Sequence, residues 1–274
     1  MTKTVVDDYQ QISMHFIGSN NTLIVAASGV IENTNGFPAV YSDSGTENND
    51  ISVSGVLKAD QNAIETYSSN STIEVAASGM LVGTVYIAGS NIDVTNKGTI
   101  IATTGIGGIN LSSEADGATI SNYGLISSGD MAIACISAAT IKNQHGGRLI
   151  GHEFGIELFT GGQKIINHGL IQGQEEGIWS KYGGDAHIVN DGSIKGGIEL
   201  GNGNDTLDTR GGTVLGTIEM EFGDDTLVTD NAKLKLTENP GEGNDTVKST
   251  VSYTLSDSVE RLILVSIPRQ SRGL

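Results

Sequence analysis

A short apolar pair recurs along this chain at nearly even spacing: Ala-Val ending at Val40, Ala-Ile at Ile64, Thr-Val at Val85 and Gly-Ile at Ile109. It continues at Ile133, Ile156, Ile178, Ile198 and Ile218, the successive steps in numbering being 24, 21, 24, 24, 23, 22, 20 and 20. A fixed period of this length marks a repeat architecture, in which each unit buries its apolar side only against its neighbours. The next column holds Tyr41, Glu65, Tyr86, Asn110, Ala134, Glu157, Trp179, Glu199 and Glu219, mostly polar or aromatic. The column after that returns to Ile87, Leu111, Cys135, Leu158, Leu200 and Met220, with Ser42, Thr66 and Ser180 as exceptions. Alternation at a spacing of two is the signature of a strand with one buried face, so the first and third columns point inward and the middle one outward.

A second strand is expected from N-x-G-x-I at Asn96/Gly98/Ile100, Asn122/Gly124/Ile126, Asn167/Gly169/Ile171 and Asn190/Gly192/Ile194. Asn143 and Gly146 hold the corresponding place in a coil with an insertion. Glycine is 38 of 274 residues and proline only 3, which fits turns repeated along the chain rather than a collagen-like or proline-rich polymer. The expected fold is all-β: a single right-handed parallel β-helix of about ten coils, spanning roughly 48 Å at the inter-strand spacing. An antiparallel sandwich would show no fixed period. The expected divisions are an N-terminal cap at 1–21, coils at 22–199, a distinct set of coils at 200–250, and closing strands and tail at 251–274.

Three acidic corners stand out: GNGNDTL at 201–207, FGDDTL at 222–227 and GEGNDTV at 241–247. Their aspartates, Asp205, Asp225 and Asp245, form an even ladder with a step of 20. Carboxylates stacked one per coil repel one another, and a divalent ion between coils removes that repulsion. Calcium takes six to eight oxygens from carboxylates and main-chain carbonyls, and glycines allow the backbone to aim several carbonyls at one point. The expected set is therefore Asp205, Asp225 and Asp245 with Gly201, Gly203, Asn204, Gly223, Asp224, Gly241, Gly243 and Asn244. Leu207, Leu227 and Val247 would anchor the corners in the core. Zinc or copper would call for histidine or cysteine, and these corners hold neither.

This stretch resembles the nonapeptide G-G-x-G-x-D-x-U-x of the repeats-in-toxin (RTX), hemolysin-type calcium-binding proteins. Residues 200–208, LGNGNDTLD, match every fixed position but the first. Residues 240–248, PGEGNDTVK, lose only the first, and 220–228, MEFGDDTLV, lose both leading glycines. The segment VSYTLSDSVERLILV at 251–265 also looks like the stretch that comes after such repeats. The resemblance implies a β-roll-like section binding Ca²⁺, and an extracellular or cell-surface protein exported without a cleaved signal peptide, by a type I route. The family packs two nonapeptides into each coil, with corners on both edges. Here the step is longer, at 20, and no second motif lies between Asp205 and Asp225, so a one-sided ladder of about two ions is expected. Asp185, in YGGDA, stands one such step before Asp205 and marks a weaker third position, with His187 where the anchoring leucine belongs. The coils before the ladder look like the passenger solenoids of secreted adhesins, which implies a structural or adhesive role.

Charge narrows the partners. The formal net charge is −17, and residues 199–260 alone carry 13 Asp/Glu against 4 Lys/Arg, which disfavours nucleic acid and acidic membranes. The first residues, MTKTVVDDYQQISMHFIG, lack a basic segment followed by an apolar one, and no run reaches the length of a membrane helix. Cys135 stands alone, which excludes an intramolecular disulfide and suits a small core residue. Parallel β-helices also host polysaccharide lyases and epimerases. The matching belt here would be His145, Arg148, His152, Glu153, His168, Glu175, Glu176 and Lys181, with His145 and His168 one coil apart. No catalytic signature accompanies it, so the chain is expected not to be an enzyme. Trp179, the single tryptophan, would lie exposed between Glu157 and Glu199, with Tyr41 and Tyr86 farther along, as a surface for extracellular polysaccharide.

Overall fold

The computed structural model describes residues 2–11, 14–103, 105–180 and 182–266. Lys181 and nearly all of the basic tail therefore lie outside the described residues. Alternating burial makes each coil a set of short strands. One coil runs through Thr140–Asn143, Arg148–Gly151 and Phe154–Leu158 before Lys164–Asn167 begins the next. The first strand of each coil joins a thirteen-stranded sheet, and as far as Ile218–Glu219 the later strands of each coil join a sixteen-stranded sheet. In places these later strands fuse into one long strand, as in Leu170–Ser180. Among the described residues every strand pairing is parallel, and about eleven turns stack into a single solenoid with no helix.

The register follows the apolar column. Val40 pairs with Ile64, Ile64 with Val85, Val85 with Ile109, and so on to Ile198 with Ile218. All nine column residues are fully buried. The third column is buried too, including its polar members. Ser42 and Thr66 face inward and share a 2.6 Å hydrogen bond, so two neighbouring coils satisfy each other's hydroxyls where neither supplies an apolar group. The core is one continuous cluster from Val6 to Val259.

Three details differ from the expectations raised by the sequence. Residues expected as a cap form a coil in register: Lys3–Val6 pairs with Thr22–Val25, Tyr9–Gln11 with Val30–Glu32, and His15–Phe16 with Val40–Tyr41. N-x-G-x-I is not one strand but a corner. Its asparagine ends a strand of the thirteen-stranded sheet, its glycine turns, and its isoleucine lies in the other sheet, as with Asn96, Gly98 and Ile100. Where the coil carries an insertion, Gly147 rather than Gly146 takes the close-packed place, its Cα facing the Asn122 carbonyl.

The corner explains both residue types. Asn96, Asn122, Asn143, Asn167 and Asn190 are fully buried and form a ladder, each side-chain amide donating to the next carbonyl oxygen at 2.7–2.9 Å. A Cβ at Gly124 would overlap the Gly98 carbonyl oxygen, so stacking at this corner excludes any side chain.

Candidate metal centre

The acidic corners at 201–205 and 222–225 connect the sixteen-stranded sheet back to the thirteen-stranded one. The corner at 241–245 follows an isolated bridge from Glu219 to Thr237 and leads into the thirteen-stranded sheet again. Thr206, Thr226 and Thr246 pair in register, as do Leu207, Leu227 and Val247, which are fully buried. Anchored this way, Asp205, Asp225 and Asp245 sit directly above one another, each only 1% exposed. One oxygen of each carboxylate is used between coils. Asp205 Oδ1 accepts the Ala186 N–H at 2.6 Å, Asp225 Oδ1 that of Asp205 at 2.6 Å, and Asp245 Oδ1 that of Asp225 at 2.9 Å. The Asp245 N–H in turn donates to Glu260 Oε2 at 2.8 Å.

The second oxygen, Oδ2, of all three aspartates is buried with no hydrogen-bond partner. Burial raises the Asp205 carboxyl to about 8 and the Asp225 carboxyl to about 7, against the opposing effect of their backbone donors. Asp245 is raised for the same reason. A buried, singly bonded carboxylate is costly unless it is protonated or meets a cation.

Beside this inner ladder runs an outer one in the preceding residue. The Asn204 N–H donates to Asp185 Oδ1 at 2.7 Å, the Asp224 N–H to Asn204 Oδ1 at 2.8 Å, and the Asn244 N–H to Asp224 Oδ1 at 3.1 Å. These four side chains are exposed. Asp185 thus belongs to the outer ladder, not below Asp205. His187 pairs with Thr206 and Ile188 with Leu207, so the step here shortens to 19 and Ala186 occupies the inner position. The anchoring residue is Ile188, fully buried, and His187 is exposed.

The backbone is shaped for close approach. Gly201, Glu221 and Gly241 occupy equivalent places with φ of 72°, 58° and 91°. A Cβ at Gly223 would overlap the Gly203 carbonyl oxygen, and Gly203 and Gly223 have φ of 133° and 150°. The carbonyls of Gly201, Phe222 and Glu242 each accept one bond from a neighbouring coil, leaving a second lone pair. Among the described residues no three His, Cys, Asp or Glu side chains converge to hold a metal by themselves. An ion at this corner would draw on one or two carboxylates and on main-chain oxygens, a donor set suited to calcium rather than to zinc or copper.

Two participants escape a reading by motif. Glu238 falls in the inward third column, its Oε1 accepting the Met220 N–H at 3.3 Å. It is buried, its Oε2 has no partner, and burial with the Asp245 charge raises its carboxyl to about 8. Extending the inward column one step past Met220, by 18, would have found it. Glu260 closes the inner ladder across a step of only 15, since Thr246 pairs with Arg261.

The histidine belt divides. His145 and His168 stack as expected, ring centroids 5.2 Å apart, at the asparagine-ladder corner, and His168 Nδ1 meets Asp191 Oδ1 at 2.5 Å. His152 and Glu153 lie instead at the bend between Arg148–Gly151 and Phe154–Leu158, where His152 Nδ1 meets Gln174 Nε2 at 3.1 Å. Glu175 and Glu176 join this second group, the Glu175 N–H donating to the Glu153 carbonyl at 3.0 Å.

Trp179 does not stand free on the outer face. Its ring stacks on Phe154 at 4.6 Å and its indole N–H donates to Glu199 Oε1 at 2.9 Å. Phe154 with Met131 covers Ala134, so this part of the outward column is a small second core. Cys135 is fully buried, and burial pushes its thiol up to about 12. Among the described residues no helix is long and apolar enough to cross a membrane. Comparison with family models, curated proteins and solved structures finds no match.

Proposed function

We propose that this chain is a calcium-stabilised β-solenoid with a structural or adhesive role outside the cell, not an enzyme. The ions sit between the corners at 201–205, 221–225 and 241–245, one between each neighbouring pair. One observation carries the reading: three stacked, buried aspartates each hold an oxygen with no partner. A cation would satisfy them and remove their mutual repulsion at once. The RTX-like motif supports the choice of ion. Ala186 in the inner column limits the count to two, because the coil of Asp185 offers no buried carboxylate. Division of the histidine belt between two corners supports a non-catalytic role, and the likeness of the earlier coils to adhesin solenoids supports the extracellular one.

Isothermal titration of the chelator-treated chain tests this. Two calcium ions are expected for the parent. Asp205→Ala and Asp245→Ala should each retain about one, and Asp225→Ala about none, because the middle aspartate serves both ions. Absence of heat and of any calcium-dependent stabilisation in the parent would defeat the proposal.

A further inference from the structure

A second feature, far along the chain from the acidic corners, points to a ligand of another kind. Phe16, Tyr41, Tyr67 and Tyr86 form a row on the outer face, with successive ring centroids 6.1, 6.0 and 5.9 Å apart. Strand register builds it. Phe16 pairs with Tyr41, Tyr41 with Glu65, Glu65 with Tyr86, and Tyr86 with Asn110. Tyr67, two residues beyond Glu65, fills the gap with its own ring, its hydroxyl donating to Glu65 Oε1 at 3.1 Å. Asn62 Nδ2 holds the other carboxylate oxygen at 2.8 Å. The row ends at Asn110, which is 6% exposed and whose Oδ1 has no hydrogen-bond partner. A cavity of about 370 Å³ opens there, walled by Tyr86 and Ile106 with Gln61, Asn62 and Asn110 as its amide groups.

We propose that this face binds a neutral pyranose chain, with a sugar hydroxyl donating to Asn110 Oδ1. The aromatic rings offer flat apolar surface for the C–H faces of successive sugars, and the amides supply both donors and acceptors. A row that only covered strand backbone would leave the buried amide oxygen unexplained, since such an acceptor is costly without a donor. Charge selects among sugars. Glu65 and Asp43 flank the rings, the cavity wall holds no lysine or arginine among the described residues, and the whole chain carries −17. A polyuronate would meet like charge along its length. The face is formed by coils between residues 15 and 111, so the inference stands or falls apart from the calcium reading.

The full chain is titrated with cellohexaose, xylohexaose and mannohexaose, and with polygalacturonate as the anionic control, following side-chain amide resonances by NMR. At least one neutral hexasaccharide should shift the Asn110 and Asn62 amides and leave Asn190 unmoved. Tyr86→Ala and Asn110→Ala should each weaken that binding at least tenfold. Mapping on the parent protein keeps the test decisive where a variant fails to fold. No shift with any of the three, shifts confined to other residues, or equal response to polygalacturonate would each overturn the proposal.

Discussion

At the level of single residues, Asp225 separates a metal ligand from a simple corner bond. Asp225→Asn keeps an oxygen to accept the Asp205 N–H but removes the buried charge. It should weaken calcium binding and, with chelator at pH 8, raise the melting temperature, which calorimetry would show. The pH dependence of the ion-free chain comes from the same groups. Asp205, Asp225 and Glu238 are raised from ordinary carboxyl values to about 8, 7 and 8, so the folded state keeps protons that the unfolded state releases above pH 4. Stability is therefore greatest below that point and falls as pH rises through 7 to 8. Chelated protein should melt at a lower temperature at pH 9 than at pH 5, and saturating calcium should flatten the difference. Glu221 gives a third outcome. It holds the left-handed place that glycine fills in the flanking corners, so Glu221→Gly should stabilise the loaded and ion-free forms alike by about 1 kcal/mol. Thermal melts in both conditions check this.

The asparagine ladder and the acidic corner solve one problem at the scale of an element: backbone groups at a turn must bond along the stack. Asn143 donates to Asn167 and accepts from Asn122. Asn143→Ala would strip a buried partner from each, and should cost about 2 to 4 kcal/mol in urea unfolding. The column strands were legible from period and alternation, because every coil must bury the same column against its neighbours. The recurring Asn and Gly showed a repeat but read as a strand where the chain turns a corner. Other illegible parts lie where coil length changes. The shortened coils before Asp205 and before Glu260 absorb their missing residues at corners while the strands keep register. Numerical spacing therefore put Asp185 one place from where pairing puts it. Phe154 over Trp179 escaped for another reason: its ring comes from the neighbouring coil, where no pattern along one strand records it.

Across the whole molecule, stability is a sum of neighbour contacts, and the charge is unevenly spread along that sum. Net −9 falls in residues 199–260, while the earlier coils close on Asn, Gly and Ser corners. Removing calcium should lower hydrogen-exchange protection across 200–250 and leave that of 40–170 in place. Uniform loss, or none, would contradict this picture. The parallel register has a mechanical consequence as well. Its inter-strand bonds run along the solenoid axis, so tension applied between the two ends loads them one coil at a time instead of shearing many together. A single molecule held between a surface and a cantilever would yield as a staircase of small steps. Each released coil would add about 70 to 80 Å of extended chain. Calcium would strengthen only the treads at one end, making the chain a tether whose stiff segment is set by the ion concentration around it.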